Sequence, residues 1–166
     1  MRKSKSDERI RALADLITGD IIADIGSDHA YLPIWLYLNK KIKKAYAADI
    51  SPNCVNRIRE NLKKYNISEE EIIPVLSDGF GFFDGKSEEF GEITDIVIAG
   101  MGGETIAEIL ASYPCVKGGV NFILQPNRKA DKLREFLLEE NFEIIGDIIT
   151  ESKKRRYNII NARLKF

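Results

Sequence analysis

A chain of 166 residues, 44% hydrophobic and 31% charged, is long enough for one domain with one sizeable core, and its composition excludes a disordered polymer. A formal net charge of −1 gives no bulk basicity for nucleic acid, so any such partner must meet a local basic face. No apolar run is long enough to span a bilayer, and the charged start Met1–Asp7 lacks the apolar stretch of a signal peptide, so a cytoplasmic protein with no membrane partner is expected.

Ser6 is a candidate N-cap for a first helix over 6–17, with Ile10, Leu13, Ala14 and Ile17 at helical spacing, and Gly19 ends it. Ile21 to Ile25 reads as a strand. A tight turn on Gly26 follows, in which Ser27 and Asp28 are candidate caps for the next helix. Ala30 to Leu38 is apolar nearly all round, as a buried helix would be, and Pro33 falls in its first turn, where proline is tolerated. Lys44 to Ile50 is a second strand. Ser51-Pro52 opens a helix running to about Tyr65, with Val55, Ile58 and Leu62 on one face.

Ile72 to Leu76 is a third strand, and Phe80 to Phe90 reads as a loop with a helical turn. Ile93 to Ala99 is a fourth strand, Glu104 to Ser112 a helix, Val120 to Gln125 a fifth strand and Lys129 to Glu140 an amphipathic helix. Two β-rich runs, Phe142 to Thr150 and Tyr157 to Lys165, are joined by Glu151–Arg156 as a hairpin, giving one antiparallel strand at the sheet edge. The cysteines, Cys54 and Cys115, have neither metal-ligand spacing nor the density of a disulfide framework, so no metal is expected.

Five βα units and a closing hairpin predict an α/β fold: a Rossmann-like, seven-stranded, mostly parallel sheet with an antiparallel last strand and helices on both faces. That antiparallel last strand is the version used by class I S-adenosylmethionine-dependent methyltransferases. The polar residues that strand logic does not require fall at strand ends: Asp24, Asp49, Asp78, Gly100-Met101-Gly102-Gly103 and Gln125-Pro126-Asn127. All would line the carboxyl edge of the sheet, where α/β proteins bind small ligands. Any one acid alone is as well explained as a turn former or helix cap. Five clusters in register are harder to explain that way.

Asp49 suits both hydroxyls of a ribose, Asp78 an adenine amino group, and Asp24 a cationic amino-acid end. Gly26 allows close backbone approach. An acid-lined crevice favours a sulfonium over a pyrophosphate, and Gly-Ser-Asp-His-Ala is not a full dinucleotide glycine turn.

Ala23–Pro33, Ile98–Gly103 and Leu124–Asn127, with the closing Glu151, Lys153 and Tyr157–Ile160, resemble the bacterial tRNA (adenine-N1)-methyltransferases that modify position 22, the TrmK family. The resemblance spans essentially the whole chain. It implies S-adenosyl-L-methionine as methyl donor and tRNA as partner. By position, Asp24, Gly26, Ser27, His29, Asp49, Ile50, Asp78, Gly79 and Gly100 would hold or border the cofactor. Asp28, Tyr31 and Met101 would border the methyl group and target base, and Gly102, Gln125 and Asn127 the substrate. Family members carry a further C-terminal helical extension associated with gripping tRNA. This chain ends at Phe166, so the expectation is one methyltransferase domain over 1–166 without it, as a monomer or weak dimer.

Adenine N1 has a free lone pair, so catalysis should rest on positioning and on an acceptor near the exocyclic amino group. Asp28 is the first candidate and the Gly100-Met101-Gly102 carbonyls the second. The Asn-Pro-Pro-Tyr of adenine-N6 enzymes is not present after the fourth strand, which fits a ring-nitrogen target. Tyr31 either stacks on an extruded base or packs beneath the turn. His29, the single histidine, either acts as a base or holds the turn. Basic residues cluster at Arg2-Lys3-Lys5, Lys40–Lys44, Arg57–Lys64 and Lys153-Lys154-Arg155-Arg156, the last being the best phosphate-binding candidate. A methyltransferase of another substrate and a cofactor-binding module with little activity are the competing readings.

Overall fold

The computed structural model describes residues 8–83, 88–114 and 119–165. The expected cap Ser6, the basic Arg2-Lys3-Lys5 run and Cys115 lie outside them. Thirteen elements follow in order: α1 (Glu8–Ala14), β1 (Ile21–Ile25), α2 (Tyr31–Leu38), β2 (Lys44–Asp49), α3 (Pro52–Lys64), β3 (Ile72–Leu76), α4 (Glu88–Gly91), β4 (Asp95–Met101), α5 (Gly103–Ala111), β5 (Asn121–Pro126), α6 (Ala130–Glu139), β6 (Phe142–Ser152) and β7 (Arg155–Leu164).

The strands form one seven-stranded sheet in the order β3-β2-β1-β4-β5-β7-β6. The pairs among β1 to β5 are parallel, and β7 runs antiparallel to both β5 and β6. The central strands read as unbroken apolar runs because both faces are covered. Ile22, Ala45, Ala47, Val97 and Ile123 pack on one face with Ile10 and Leu13 of α1, Leu32 and Leu36 of α2, and Ile58 and Leu62 of α3. Ala23, Ile25, Tyr46, Ile98 and Leu124 pack on the other with Ile106 and Leu110 of α5 and Leu133 and Leu137 of α6. A strand alternates faces at every residue, so this division follows from the register alone.

Several features differ from expectation, among them the bounds of β4, which runs from Asp95 to Met101 and not from Ile93 to Ala99. Helix α1 stops at Ala14, where Leu16 and Ile17 bond back only three residues, to Leu13 and Ala14. Helix α2 starts at Tyr31, because Ala30 is left-handed (φ 59°), and neither Ser27 nor Asp28 caps it. The link between the last strands is only Lys153-Lys154, both with positive φ, as a two-residue hairpin turn requires. The antiparallel strand is β7, which is interior; the edge is β6. Within the expected 80–90 loop, residues 84–87 lie outside the described residues and 88–90 belong to α4; Phe83 stacks on Phe90 (4.8 Å) and Phe80 is edge-on to Tyr113 (5.1 Å).

Asp95, at the amino end of β4, is buried completely. Its carboxylate accepts hydrogen bonds from the backbone N–H groups of Thr18 (2.8 Å) and Gly19 (2.9 Å), the hydroxyls of Thr18 (3.0 Å) and Thr94 (2.7 Å), and Asn121 Nδ2 (2.8 Å). This network joins the α1–β1 link, β4 and β5 at the edge of the sheet opposite the strand tips discussed next.

Candidate cofactor and nucleic-acid site

Beyond the tip of β1 the chain turns on Gly26 (φ 75°), and the N–H groups of Gly26 and Ser27 both donate to Ala48 O at the end of β2 (2.8 and 2.9 Å). The next N–H, that of Asp28, donates to Asp49 Oδ2 (3.0 Å), while Asp49 Oδ1 accepts from Ser51 N–H (3.0 Å). The β1 turn is thereby fastened to the end of β2. The left-handed φ of residue 26 favours glycine, and a Cβ there would also lie 2.1 Å from Met101 Cε, so the methionine side chain would have to move aside.

A cavity of about 660 Å³ opens across these tips, within the usual range for a small-molecule site. Ile25, Gly26, Asp49, Ile50, Ser77, Asp78, Gly79, Gly100 and Met101 line it, together with Thr105, Glu108 and Ile109 of α5. A second cavity of about 240 Å³ adjoins it behind Gly26 and Gly100, lined by Arg9, Asp24, Ser27, Asp28, His29 and Tyr31. A third, of about 740 Å³, lies between Arg9, Gly100, Asn127 and the β6–β7 hairpin, where Lys153, Arg155, Arg156 and Tyr157 face it. Gly100 (φ 80°) borders all three, at the irregularity where β4 loses register with β5.

The expected cofactor residues thus divide between two adjoining spaces. Asp49, Ile50, Asp78 and Gly79 line the larger, Asp24, Ser27 and His29 the smaller, and Gly26 and Gly100 both. Of the expected catalytic residues, Met101 lines the larger cavity and Asp28 and Tyr31 the smaller. The Asp28 carboxylate accepts from Arg57 Nη1 (3.2 Å) and Cys54 Sγ (3.3 Å). Tyr31 does not pack beneath the turn: it is 54% exposed and stacks on His29 with ring centroids 4.9 Å apart.

Among the expected substrate residues, Lys153, Arg155, Arg156 and Asn127 line the basic cleft, and Arg156 also pairs with Glu151 (3.3 Å). Lys154 sits in the adjacent turn, and Gly102 is the N-cap position of α5. Gln125 has no exposed surface to offer a substrate: its Oε1 accepts from Arg9 Nη1 (3.0 Å) and its Nε2 donates to Asn127 Oδ1 (3.1 Å). Sequence reasoning missed Arg9, Ser77, Tyr157 and the α5 residues. Thr105, Glu108, Ile109 and Ser112 recur at helical spacing just past the glycine turn, a signal that could have found the last group. Among the described residues, no group of three or more His, Cys, Asp or Glu could hold a metal ion, and no helix is long and apolar enough to cross a membrane.

Asp24 is 6% exposed, and burial pushes its carboxyl up to about 6, although the Ser27 hydroxyl (2.8 Å) and the Arg9 charge pull it down. The folded state therefore binds this proton more tightly than the unfolded chain, whose Asp titrates near 3.8. The stability from that protonation is complete below about pH 4 and is lost as pH rises through 6. Asp24→Asn is expected to melt about 5 °C above wild type at pH 8 and to lose that advantage at pH 4. A difference independent of pH in thermal melts would contradict this.

Among known proteins, residues 6–160 match the methyltransferase domain family. The chain is 35% identical over 164 residues to the tRNA (adenine(22)-N(1))-methyltransferase of Bacillus subtilis, covering 98% of this chain and 66% of that protein. It therefore spans about two thirds of the length of this curated relative. The crystal structure of B. subtilis TrmK superposes with a TM-score of 0.86 at 33% identity, covering 97% of this chain and 67% of that one. That of Mycoplasma capricolum TrmK in complex with S-adenosyl-homocysteine gives 0.85 at 33% identity, covering 96% and 69%. The β1 turn, the glycine-hinged end of β4 and the acid-tipped sheet thus stand in a chain that belongs to the TrmK family of methyltransferase-domain proteins.

Proposed function

We propose that this chain transfers a methyl group from S-adenosyl-L-methionine to N1 of an adenine in tRNA, at position 22 as the B. subtilis relative is named for. One observation carries the reading: an acid-rimmed cavity suited to a cationic cofactor and a basic cleft suited to a polyanion meet at Gly100. The donor set fits the cofactor. Asp49 would accept from the ribose hydroxyls, Asp78 from the adenine amino group and Asp24 from the ammonium, with Ile50 and Gly79 against the rings and Gly26 leaving room for the backbone to approach. When bound, the cofactor supplies an electrophilic methyl on a sulfonium.

Adenine N1 needs no deprotonation, so the task of the chain is to hold the base and stabilise the charge passing into its ring. The exposed Tyr31, backed by His29, offers a face on which an unpaired base can stack. The Asp28 carboxylate, which lines the same cavity as Tyr31, is the first candidate acceptor and the Gly100-Met101-Gly102 carbonyls are the second. Lys153, Lys154, Arg155 and Arg156 take phosphates, and the reaction belongs to the cytoplasm, where tRNA is. Incubation with labelled cofactor and unmodified tRNA, followed by mapping, should put the label on N1 of one adenine; label elsewhere, or none, would overturn the reading. Replacing Lys153 and Arg155 together by Ala should weaken tRNA binding and lower the slope of log K against log salt by about 1 for each phosphate no longer neutralised. An unchanged slope would remove the hairpin from the RNA surface.

A further inference from the structure

We infer that Arg57 is a positioning residue for methyl transfer: from one face of α3 it fixes one oxygen of the Asp28 carboxylate and so leaves the other for the exocyclic amino group of the target base. This rests on the methyl-transfer reading above and deepens it, since Asp28 is there the first candidate acceptor for charge passing into the base.

The buried face of α3 is Val55, Ile58 and Leu62. Beside it Cys54, Arg57 and Asn61 recur three and then four residues apart, a spacing that places them along one line of the helix. All three donate to the turn beyond β1. Asn61 Nδ2 reaches His29 O (2.8 Å), while Cys54 Sγ (3.3 Å) and Arg57 Nη1 (3.2 Å) both reach Asp28 Oδ1. A helix surface that only meets water has no need of three donors aimed at one dipeptide.

Among the described residues, no hydrogen bond reaches Asp28 Oδ2; His29 Nε2 stands 3.6 Å from it, beyond bonding distance. The backbone is fixed as well. Asp28 is left-handed (φ 55°), a conformation that aspartate tolerates, and its N–H is bound to Asp49 Oδ2 (3.0 Å). With the backbone set, the contacts on Oδ1 select the side-chain rotamer. A thiol is a weak donor, whereas a guanidinium brings a full charge and a rigid fork, so Arg57 is the stronger anchor. Asp28 and Tyr31 line the same small cavity, and Tyr31 stacks on His29, whose carbonyl Asn61 fixes. One stripe of α3 therefore orients both the acceptor and the stacking face.

The two side chains are 47% and 53% exposed, so the ion pair adds little to stability. Its effect falls on the rate. An acceptor turned away from the developing charge loses an interaction that only the transition state makes.

Steady-state kinetics with labelled S-adenosyl-L-methionine and unmodified tRNA test this. Arg57→Met should lower kcat about tenfold, leave KM for tRNA and the affinity for S-adenosylhomocysteine within about twofold, and melt within about 2 °C of wild type. Arg57→Lys, which keeps the charge, should recover part of kcat. In an Asp28→Asn background, Arg57→Met should cost nothing further, because the guanidinium acts through that carboxylate. An unchanged kcat, or a loss that adds in full to that of Asp28→Asn, would overturn the assignment. So would a raised KM with a shallower salt dependence at constant kcat, which would make Arg57 a phosphate contact. A wild-type chain that methylates no tRNA would overturn the methyl-transfer reading, and the assignment with it.

Discussion

Asp49→Ala should lower the affinity for S-adenosylhomocysteine by about a hundred- to a thousand-fold while the domain stays folded at 25 °C. A carboxylate offers about four lone-pair sites. In Asp49 one oxygen is used by Asp28 N–H and the other by Ser51 N–H. The capacity left, on a residue that lines the larger cavity, suits a vicinal diol. Two hydrogen bonds to a charged acceptor contribute about 3–4 kcal/mol together, which is the expected loss. The same substitution releases the Asp28 N–H, so the β1 turn loosens as its binding partner disappears. Asp49→Asn should recover little, because its amide nitrogen would face one of two backbone donors. Isothermal titration beside a melting curve checks this, and an affinity within threefold of wild type in a folded variant would exclude Asp49 from ribose binding.

The second large effect concerns stability alone. Asp95→Ala is expected to cost about 4 kcal/mol and to lower the melting temperature by about 10 °C. The buried carboxylate satisfies two backbone N–H groups, two hydroxyls and the Asn121 amide, and alanine would take the shared acceptor from Thr18 and Gly19, while the Thr94 hydroxyl keeps Ile21 O (2.9 Å) and the Asn121 amide keeps Leu16 O (3.0 Å). Against a total of about 5–15 kcal/mol, that is a large fraction. Asp95→Asn should be nearly as harmful, since an amide NH2 would oppose other donors. Because Asp95 lies at the amino edge of the sheet, cofactor affinity measured below the melting range should be unchanged. A melting point within 3 °C of wild type would contradict the network's role. Asp95 and Asp24 thus have opposite consequences for stability: the first carboxylate is fully partnered, while the second is buried beside a cavity with the Ser27 hydroxyl on one oxygen.

The amino-acid sequence by itself determined the architecture. Apolar runs such as Ile21–Ala23 and Ile96–Ala99 identify strands buried on both faces, and Ser51-Pro52 marks a helix start by local chemistry alone: its serine accepts from Cys54 N–H (3.4 Å) and its proline fills the first turn. The acidic strand tips were legible for the same reason, since Asp at the end of an apolar run has no packing explanation.

What only the tertiary structure decided was which side chains meet. Arg9 stands 116 residues from Gln125, and their meeting depends on where α1 lies over the end of β5. The left-handed Ala30 and the interior position of β7 are also set by long-range packing, Ala30 by the fastening of the β1 turn to β2 and β7 by its pairing between β5 and β6. Asp95 lay inside the expected fourth strand, Ile93 to Ala99, with no role assigned, because its donors come from segments distant in the chain. Periodicity and capping are local and can be read along the sequence, whereas a site assembled across strand tips exists only once the sheet has formed.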